Sequence, residues 1–176
     1  MQRRSKPSIQ RVSVLGSGKV REKDFIYQQA TKLGRALAQE NLTVFHGGYK
    51  GVMEAVAKGC DAGGGYNTAV MIRGGTRKST EWAYNRIGMP TWQSRLFKLI
   101  EMGDAYIFLD GASGTLAELF VVLEMTNRGL LSKPIIILGK KLTVLLRSLA
   151  KDPHFDLPAK LVFVTSAEQA VRHLRA

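Results

Sequence analysis

Short apolar runs alternate with amphipathic stretches along the chain. Arg11 to Leu15 alternates into a short strand that ends at Gly16-Ser17-Gly18. Glu22 to Glu40 then carries Ile26, Ala30, Leu33 and Leu37 at alternating four- and three-residue steps, which predicts an amphipathic helix that tolerates Gly34 and is closed by Asn41. Leu42 to Phe45 reads as a second strand. After the turn His46-Gly47-Gly48-Tyr49-Lys50-Gly51, a helix places Val52, Val56 and Cys60 on one face and ends at Gly63-Gly64-Gly65. Asn67 to Ile72 is a third strand, and Arg73 to Pro90 reads as a long polar, basic loop. Thr91 begins a helix with Trp92, Leu96, Leu99 and Ile100 on one side, so Arg95 and Lys98 fall off that stripe, and Arg95 needs a solvent or a ligand explanation, of which solvent is the usual one. Ala105 to Leu109 is a fourth, buried strand, followed by a helix through Leu116, Leu119, Phe120 and Leu123. The run from Ile135 to Leu138 is a fifth strand, with a helix through Leu142, Leu145, Leu146 and Leu149 behind it. Leu161 to Val164 is a sixth, and Thr165-x-x-Glu168 caps the last helix.

Strands separated by helices imply α/β architecture: a Rossmann-like, doubly wound parallel sheet with helices on both faces and right-handed crossovers. In the order 3-2-1-4-5-6 the switch point falls between the first and fourth strands, and three glycine-bearing loops open on one crevice there. Residues 1–10 read as a basic N-terminal tail carrying Arg3, Arg4 and Lys6, with Arg11 extending that basic cluster just beyond it, and residues 11–176 as one nucleotide-binding domain.

The turn from Asp110 to Thr115 joins a strand to a helix with small residues, so backbone N–H groups at the helix start face an anion unobstructed. Thr115 adds a hydroxyl, and Glu118 projects from the same face one turn on. Two readings stand side by side. Thr115-x-x-Glu118 is a capping box, or it is a phosphate-binding hydroxyl beside a working carboxylate. The second glycine turn, His46 to Gly51, favours a shared ligand. Gly16-Ser17-Gly18 matches neither GxGxxG, because Arg21 stands at the third glycine position, nor the Walker A pattern, because Ser13 holds the first.

Composition narrows the classes. The formal charge of +12 calls for an anionic partner without choosing one, and no nucleic-acid motif accompanies it, so nucleic acid is not expected as the partner. Trp82, Tyr84 and Trp92 are interleaved with the basic loop, as stacking surfaces for a base or, the favoured reading, as anchors on the core. One cysteine, Cys60, excludes an intrachain disulfide and reads as core. No apolar run approaches a bilayer's thickness and the N-terminus lacks a signal-like hydrophobic region, so a cytoplasmic protein is expected, with no membrane partner.

These residues resemble the Lonely guy (LOG) family over roughly Val12 to Gly139. Gly47-Gly48-Tyr49-Lys50-Gly51-Val52-Met53 matches its GGG-x-x-G-x-M turn, and Asp110-Gly111-Ala112-Ser113-Gly114-Thr115-Leu116-Ala117-Glu118 matches its PGGxGTxxE turn. Arg95 falls at the family's catalytic arginine. Asp110, Ala112, Tyr49 and Leu96 stand where the family carries Pro, Gly, Gly and Lys. The resemblance implies hydrolysis of the N-glycosidic bond of a nucleoside 5′-monophosphate, a cytokinin riboside monophosphate or an AMP-like substrate, to free base and ribose 5-phosphate. It implies Arg95 and Glu118 as catalytic residues. Gly47, Gly48, Gly51, Gly111, Gly114 and Thr115 would bind the phosphate, with Ser17, Met53 and Ser113 as additional contacts. It implies no metal, no cofactor and a homodimer, for which Phe120, Val121, Val122 and Leu123 supply apolar surface. Molybdenum-cofactor carrier proteins are similar in fold and in both turns, and give the alternative of a nucleotide or cofactor carrier without hydrolase activity. Arg95 with Glu118 favours the hydrolase.

Overall fold

The computed structural model describes residues 9–176, so the tail charges Arg3, Arg4 and Lys6 lie outside the described residues. Seven strands form one parallel sheet: β1 (Arg11–Leu15), β2 (Thr43–His46), β3 (Asn67–Ile72), β4 (Asn85–Met89), β5 (Ala105–Phe108), β6 (Ile135–Ile137) and β7 (Leu161–Phe163). Their order is β4-β3-β2-β1-β5-β6-β7. The chain winds outward from β1 in one direction through β4, then returns to pair β5 with the other side of β1, Val12 opposite Ala105 and Leu15 opposite Phe108. The switch point therefore lies between β1 and β5, as the sequence predicts.

Six helices cover both faces: α1 (Phe25–Gln39), α2 (Val52–Ala62), α3 (Trp92–Met102), α4 (Ser113–Asn127), α5 (Lys140–Leu149) and α6 (Ala167–Arg175). The strands alternate between the two layers. Val12, Val14, Val44, Ile107 and Ile136 face α1, α2 and α6. Phe45, Val70, Tyr106, Phe108, Ile135 and Ile137 face α3, α4 and α5. Ser13, the polar member of β1, is fully buried and donates to the Leu99 carbonyl of α3 at 2.6 Å. Gly34 and Gly59 bring α1 and α2 into backbone contact: a Cβ on Gly59 would stand 1.9 Å from the Thr31 oxygen. Asn41 ends the α1 region with φ 56°, the left-handed conformation that asparagine tolerates. Cys60 is buried against the Tyr66 carbonyl, and burial pushes its thiol up to about 12, which makes it inert core.

Two expectations change, β4 and the cap of α6. The long loop between the third strand and the next helix contains β4, an edge strand whose NRIGM sequence has no apolar alternation because it packs few side chains inward. Arg11 opens β1, as the alternation predicts, and pairs with Asp104 at 2.8 Å. The cap of α6 sits one residue later than Thr165-x-x-Glu168: Ser166 accepts from the Gln169 N–H at 3.3 Å, and the Gln169 side chain accepts from Thr165 N–H at 2.8 Å.

Candidate active site

At the carboxyl ends of β1, β2 and β5 three glycine-bearing loops meet around a cavity of about 840 Å³. Ser17 stitches them together. Its N–H donates to the Asp110 carbonyl at 3.1 Å, and its carbonyl accepts from the Val52 N–H, at the start of α2, at 2.8 Å. Gly51 must be glycine for this: its φ is +71°, and a Cβ there would lie 2.2 Å from the Ser17 oxygen. Gly47 is glycine for another reason, since a Cβ would fall 1.9 Å from Nη2 of Arg95.

Ser17, Gly47, Met53, Arg95, Ser113, Gly114, Thr115 and Glu118 all line the cavity. Gly48, Gly51 and Gly111 stand outside its lining and shape the loops instead; at Gly111 a Cβ would meet Thr115 Oγ1 at 2.1 Å. The α4 N-terminus opens here after Ala112, which is extended (φ −99°), so alanine at that position carries no left-handed strain.

Arg95 is not a solvated residue off the apolar stripe of α3. It is 6% exposed. Its Nε donates to the Val70 carbonyl at 2.9 Å, and Nη2 donates to the Gly47 carbonyl at 3.1 Å with Met53 Sδ at 3.9 Å. Nη1 lies 3.5 Å from Glu118 Oε1. Four of the guanidinium's five N–H groups are thereby directed at protein atoms, so Arg95 first of all fastens the second glycine loop to β3 and holds Glu118. Leu96 beside it is core, at 3% exposed.

The capping-box reading of Thr115 and Glu118 does not hold. The N-cap of α4 is Ala112, without a side-chain cap, and Glu118 turns to Arg95. Both partners are buried, and at 3.5 Å the contact only partly offsets the cost of withdrawing two charges from water. Burial pushes the Glu118 carboxyl above the usual carboxylate range, with Arg95 pulling it back less strongly. A loosely closed, buried ion pair on a cavity wall can exchange part of its mutual contact for a bound ligand.

Other neighbours are less legible in the sequence. His46 is fully buried: Nδ1 accepts from the Gly48 N–H at 3.1 Å and Nε2 bonds to Asn67 Oδ1 at 3.0 Å. The first contact leaves Nδ1 unprotonated, and burial lowers the ring to about 4, so the neutral Nε2–H tautomer props the glycine loop. Tyr49, in a glycine's place, lines the cavity, accepts from the Ile72 N–H at 3.2 Å, and lies under Arg95 at 5.5 Å. Asp110 turns away from the cavity and caps α5 across the sheet, accepting from Lys141 N–H at 3.1 Å and Leu142 N–H at 2.9 Å. Its charge is thus spent on a helix end. Of the three aromatics near the basic segment, Trp92 lines the cavity at 43% exposed, and Tyr84 is exposed against Tyr66, so neither anchors a loop on the core. Trp82 is half-buried beside Lys58. No three His, Cys, Asp or Glu side chains among the described residues are grouped to hold a metal ion. No helix among them is long and apolar enough to cross a membrane.

The SLOG cluster4 family model matches residues 9–171. A cytokinin riboside 5′-monophosphate phosphoribohydrolase of Rhodococcoides fascians is 32% identical over 117 residues, 64% of this chain and 59% of that protein, so the chain spans under two thirds of that relative's length. An uncharacterized protein of Archaeoglobus fulgidus is 29% identical over 136 residues, 76% of this chain and 87% of that one. Among solved structures, the molybdenum cofactor binding protein of Rippkaea orientalis superposes with a TM-score of 0.79 at 20% identity, over 97% of this chain and 98% of that chain. At that identity the likeness is one of fold.

Proposed function

This chain belongs to the SLOG cluster4 family, a LOG-like family, and from that membership we propose that it is a phosphoribohydrolase cleaving the N-glycosidic bond of a nucleoside 5′-monophosphate. The observation that carries the reading is the buried Arg95–Glu118 pair on the wall of a cavity ringed by three glycine-bearing loops. The α4 N-terminus, with Thr115 and the backbone around Ser113 and Gly114, binds the 5′-phosphate. That contact fixes the distance from phosphate to glycosidic carbon and turns binding energy into orientation.

In the reaction the C1′–N bond breaks with its electron pair going to the base. Water adds its oxygen to C1′; one water proton passes to the base and the other stays as the new hydroxyl. The transition state carries positive charge on the sugar, and Glu118, an anion in a water-poor site, stabilises it and orients the water. Arg95 keeps Glu118 ionised against the upward pull of burial and offers its remaining N–H to the ligand. Trp92 at the cavity edge gives a face for the base. The carrier reading rests on a fold likeness alone, and a carrier has no need of a buried carboxylate facing its ligand.

Pairing into a homodimer belongs to the same proposal. Val122 and Leu123, which the sequence offers as dimer surface, are core at 0% and 3% exposed, so the apolar surface left is Phe120 and Val121 with Leu116 of α4, all partly buried, and Phe97 of α3, 52% exposed. Light scattering at micromolar concentration should give twice the chain mass. A monomer would contradict it.

The activity itself is tested by incubating the protein with a panel of nucleoside 5′-monophosphates. Free base and ribose 5-phosphate should appear in equal amounts from at least one member. Saturable binding across the panel with no base released would hand the site to the carrier reading.

A further inference from the structure

The segment from Ile72 to Thr80, between β3 and β4, is basic and lies along the cavity mouth. It is fastened at both ends. Ile72 N–H donates to the Tyr49 hydroxyl at 3.2 Å, and Gly75 N–H donates to the Ile72 carbonyl at 3.3 Å. At the far end Thr80, 2% exposed, donates its N–H to the Gly48 carbonyl at 2.8 Å. Arg86 on β4 clamps the same place, with Nε to Ser79 Oγ and Nη2 to the Thr80 carbonyl, both at 3.0 Å. Between these fixed points Arg77 and Lys78 line the cavity, and the Arg77 guanidinium sits 5.7 Å from the Tyr49 ring centre.

The charges around the cavity do not balance. Lys19, Lys50, Arg77, Lys78 and Arg95 line it, against Glu118 as the one lining carboxylate among the described residues. Lys50 is paired with Glu54 at 2.8 Å, and Arg95 with Glu118. Lys19, Arg77 and Lys78 have no carboxylate partner among the described residues. Three uncompensated cations around one crevice repel each other and raise the local concentration of anions. A single phosphate seated at the α4 N-terminus already has backbone N–H groups and Thr115 as partners, so it leaves these cations without one. The cavity, about 840 Å³, lies toward the large end of the roughly 300–1,000 Å³ common for small-molecule sites.

We propose that Arg77, Lys78 and Lys19 form a second anion subsite, so that this cavity takes nucleotides bearing a pyrophosphate, either a nucleoside 5′-diphosphate or two nucleosides joined through one, more tightly than monophosphates. The proposal rests on the nucleotide reading of the same site. The first phosphate occupies the α4 N-terminus, and the second lies under the fastened basic segment, where Arg77 grips it as a planar two-pronged donor and the lysines act as point charges.

Isothermal titration of the full chain with AMP, ADP and diadenosine 5′,5′-diphosphate at one ionic strength tests it. ADP should bind at least tenfold tighter than AMP. In the double variant Arg77→Ala, Lys78→Ala that ratio should shrink to within twofold, and Lys19→Ala, in a different loop, should shrink it about threefold. The diadenosine compound carries AMP's charge on two phosphates: binding tighter than AMP identifies a bridging pyrophosphate as the preferred group, and binding like AMP identifies a terminal one. Equal affinities for AMP and ADP in the wild type, or an ADP preference that survives the double variant, would overturn the second subsite while leaving the monophosphate reading intact. Failure of all three ligands to bind would overturn both.

Discussion

Two Arg–carboxylate pairs lie at opposite ends of the sheet's centre, and they are built to opposite specifications. At the amino end of β1 and β5, Arg11 meets Asp104 at 2.8 Å with both side chains partly in water, 48% and 26% exposed. Asp104 also accepts from the backbone N–H of Gln10 at 3.1 Å and of Arg11 at 2.9 Å. Burial pushes its carboxyl up, but the Arg11 and backbone hydrogen bonds outweigh that and hold it below its usual range. At the carboxyl end, the Arg95 and Glu118 side chains are 8% and 11% exposed, stand 3.5 Å apart, and burial holds the carboxyl above its usual range. The first pair is a satisfied fastening between neighbouring strands. The second costs stability in its ionised form, and a charge kept at such a cost beside a cavity is what catalysis at a cationic centre requires. The difference between a brace and the proposed reactive group thus lies in distance, burial and the direction of one proton equilibrium.

The largest expected effect breaks the second pair from the arginine side. Arg95→Ala leaves Glu118 buried without its cation and cuts the Gly47 and Val70 carbonyls loose, so it should cost about 3–5 kcal/mol of stability in denaturant unfolding. Lowering the pH gives a similar size of effect by another route. His46 titrates at about 4 when folded and at 6.5 when unfolded, so the unfolded chain binds the extra proton between those values. The stability it protects is complete above pH 6.5 and is lost as pH falls toward 4, by at most about 3 kcal/mol. Glu118 acts in the opposite sense: its raised folded pKa means its contribution is present below the unfolded value of 4.5 and lost as pH rises. The acid loss should therefore be steeper in Glu118→Gln than in the wild type when unfolding free energies are compared from pH 7 to 4. An equal or shallower slope in that variant would contradict the opposed signs.

The exchange of carboxylate for amide then separates the two ends. Glu118→Gln should lower turnover about a hundredfold, equivalent to about 2.7 kcal/mol, with a melting temperature unchanged or slightly raised. Asp104→Asn should do the reverse, leaving turnover near wild type and lowering stability by about 1 kcal/mol. Equal effects of the two on turnover would erase the distinction.

Most of the fold was legible because it rests on periodicity. Arg11 to Leu15 and Asn67 to Ile72 read as strands to the residue, and the two glycine turns announced the cavity. What escaped had its partner far away in sequence. Nothing local marks Asn85–Met89 as a strand, since β3 alone supplies its pairing. For Arg95 the helical stripe leaves solvent and ligand both open, because it cannot show that the Val70 and Gly47 carbonyls arrive on its polar side. Local spacing cannot choose between a cap and a working carboxylate at Glu118, because Arg95, the partner that decides it, lies 23 residues earlier. The role of Asp110, in the place of the family's Pro, is hidden because the N-terminus of α5 that it caps lies 31 residues on. His46 gave no signal at all, being one polar residue at the end of an apolar run. The signal available for Tyr49 was its departure from the family's glycine.

In the proposed function the glycine loops at the carboxyl end hold a 5′-phosphate while the glycosidic bond is cut. Its most direct test is the ratio of kcat/KM for AMP to that for adenosine in base release by the wild-type protein, repeated with other nucleotide and nucleoside pairs if AMP is not turned over. The account predicts at least a hundredfold preference for the nucleotide, because the phosphate supplies the binding energy that orients the sugar against Glu118. Equal turnover of nucleotide and nucleoside would contradict it.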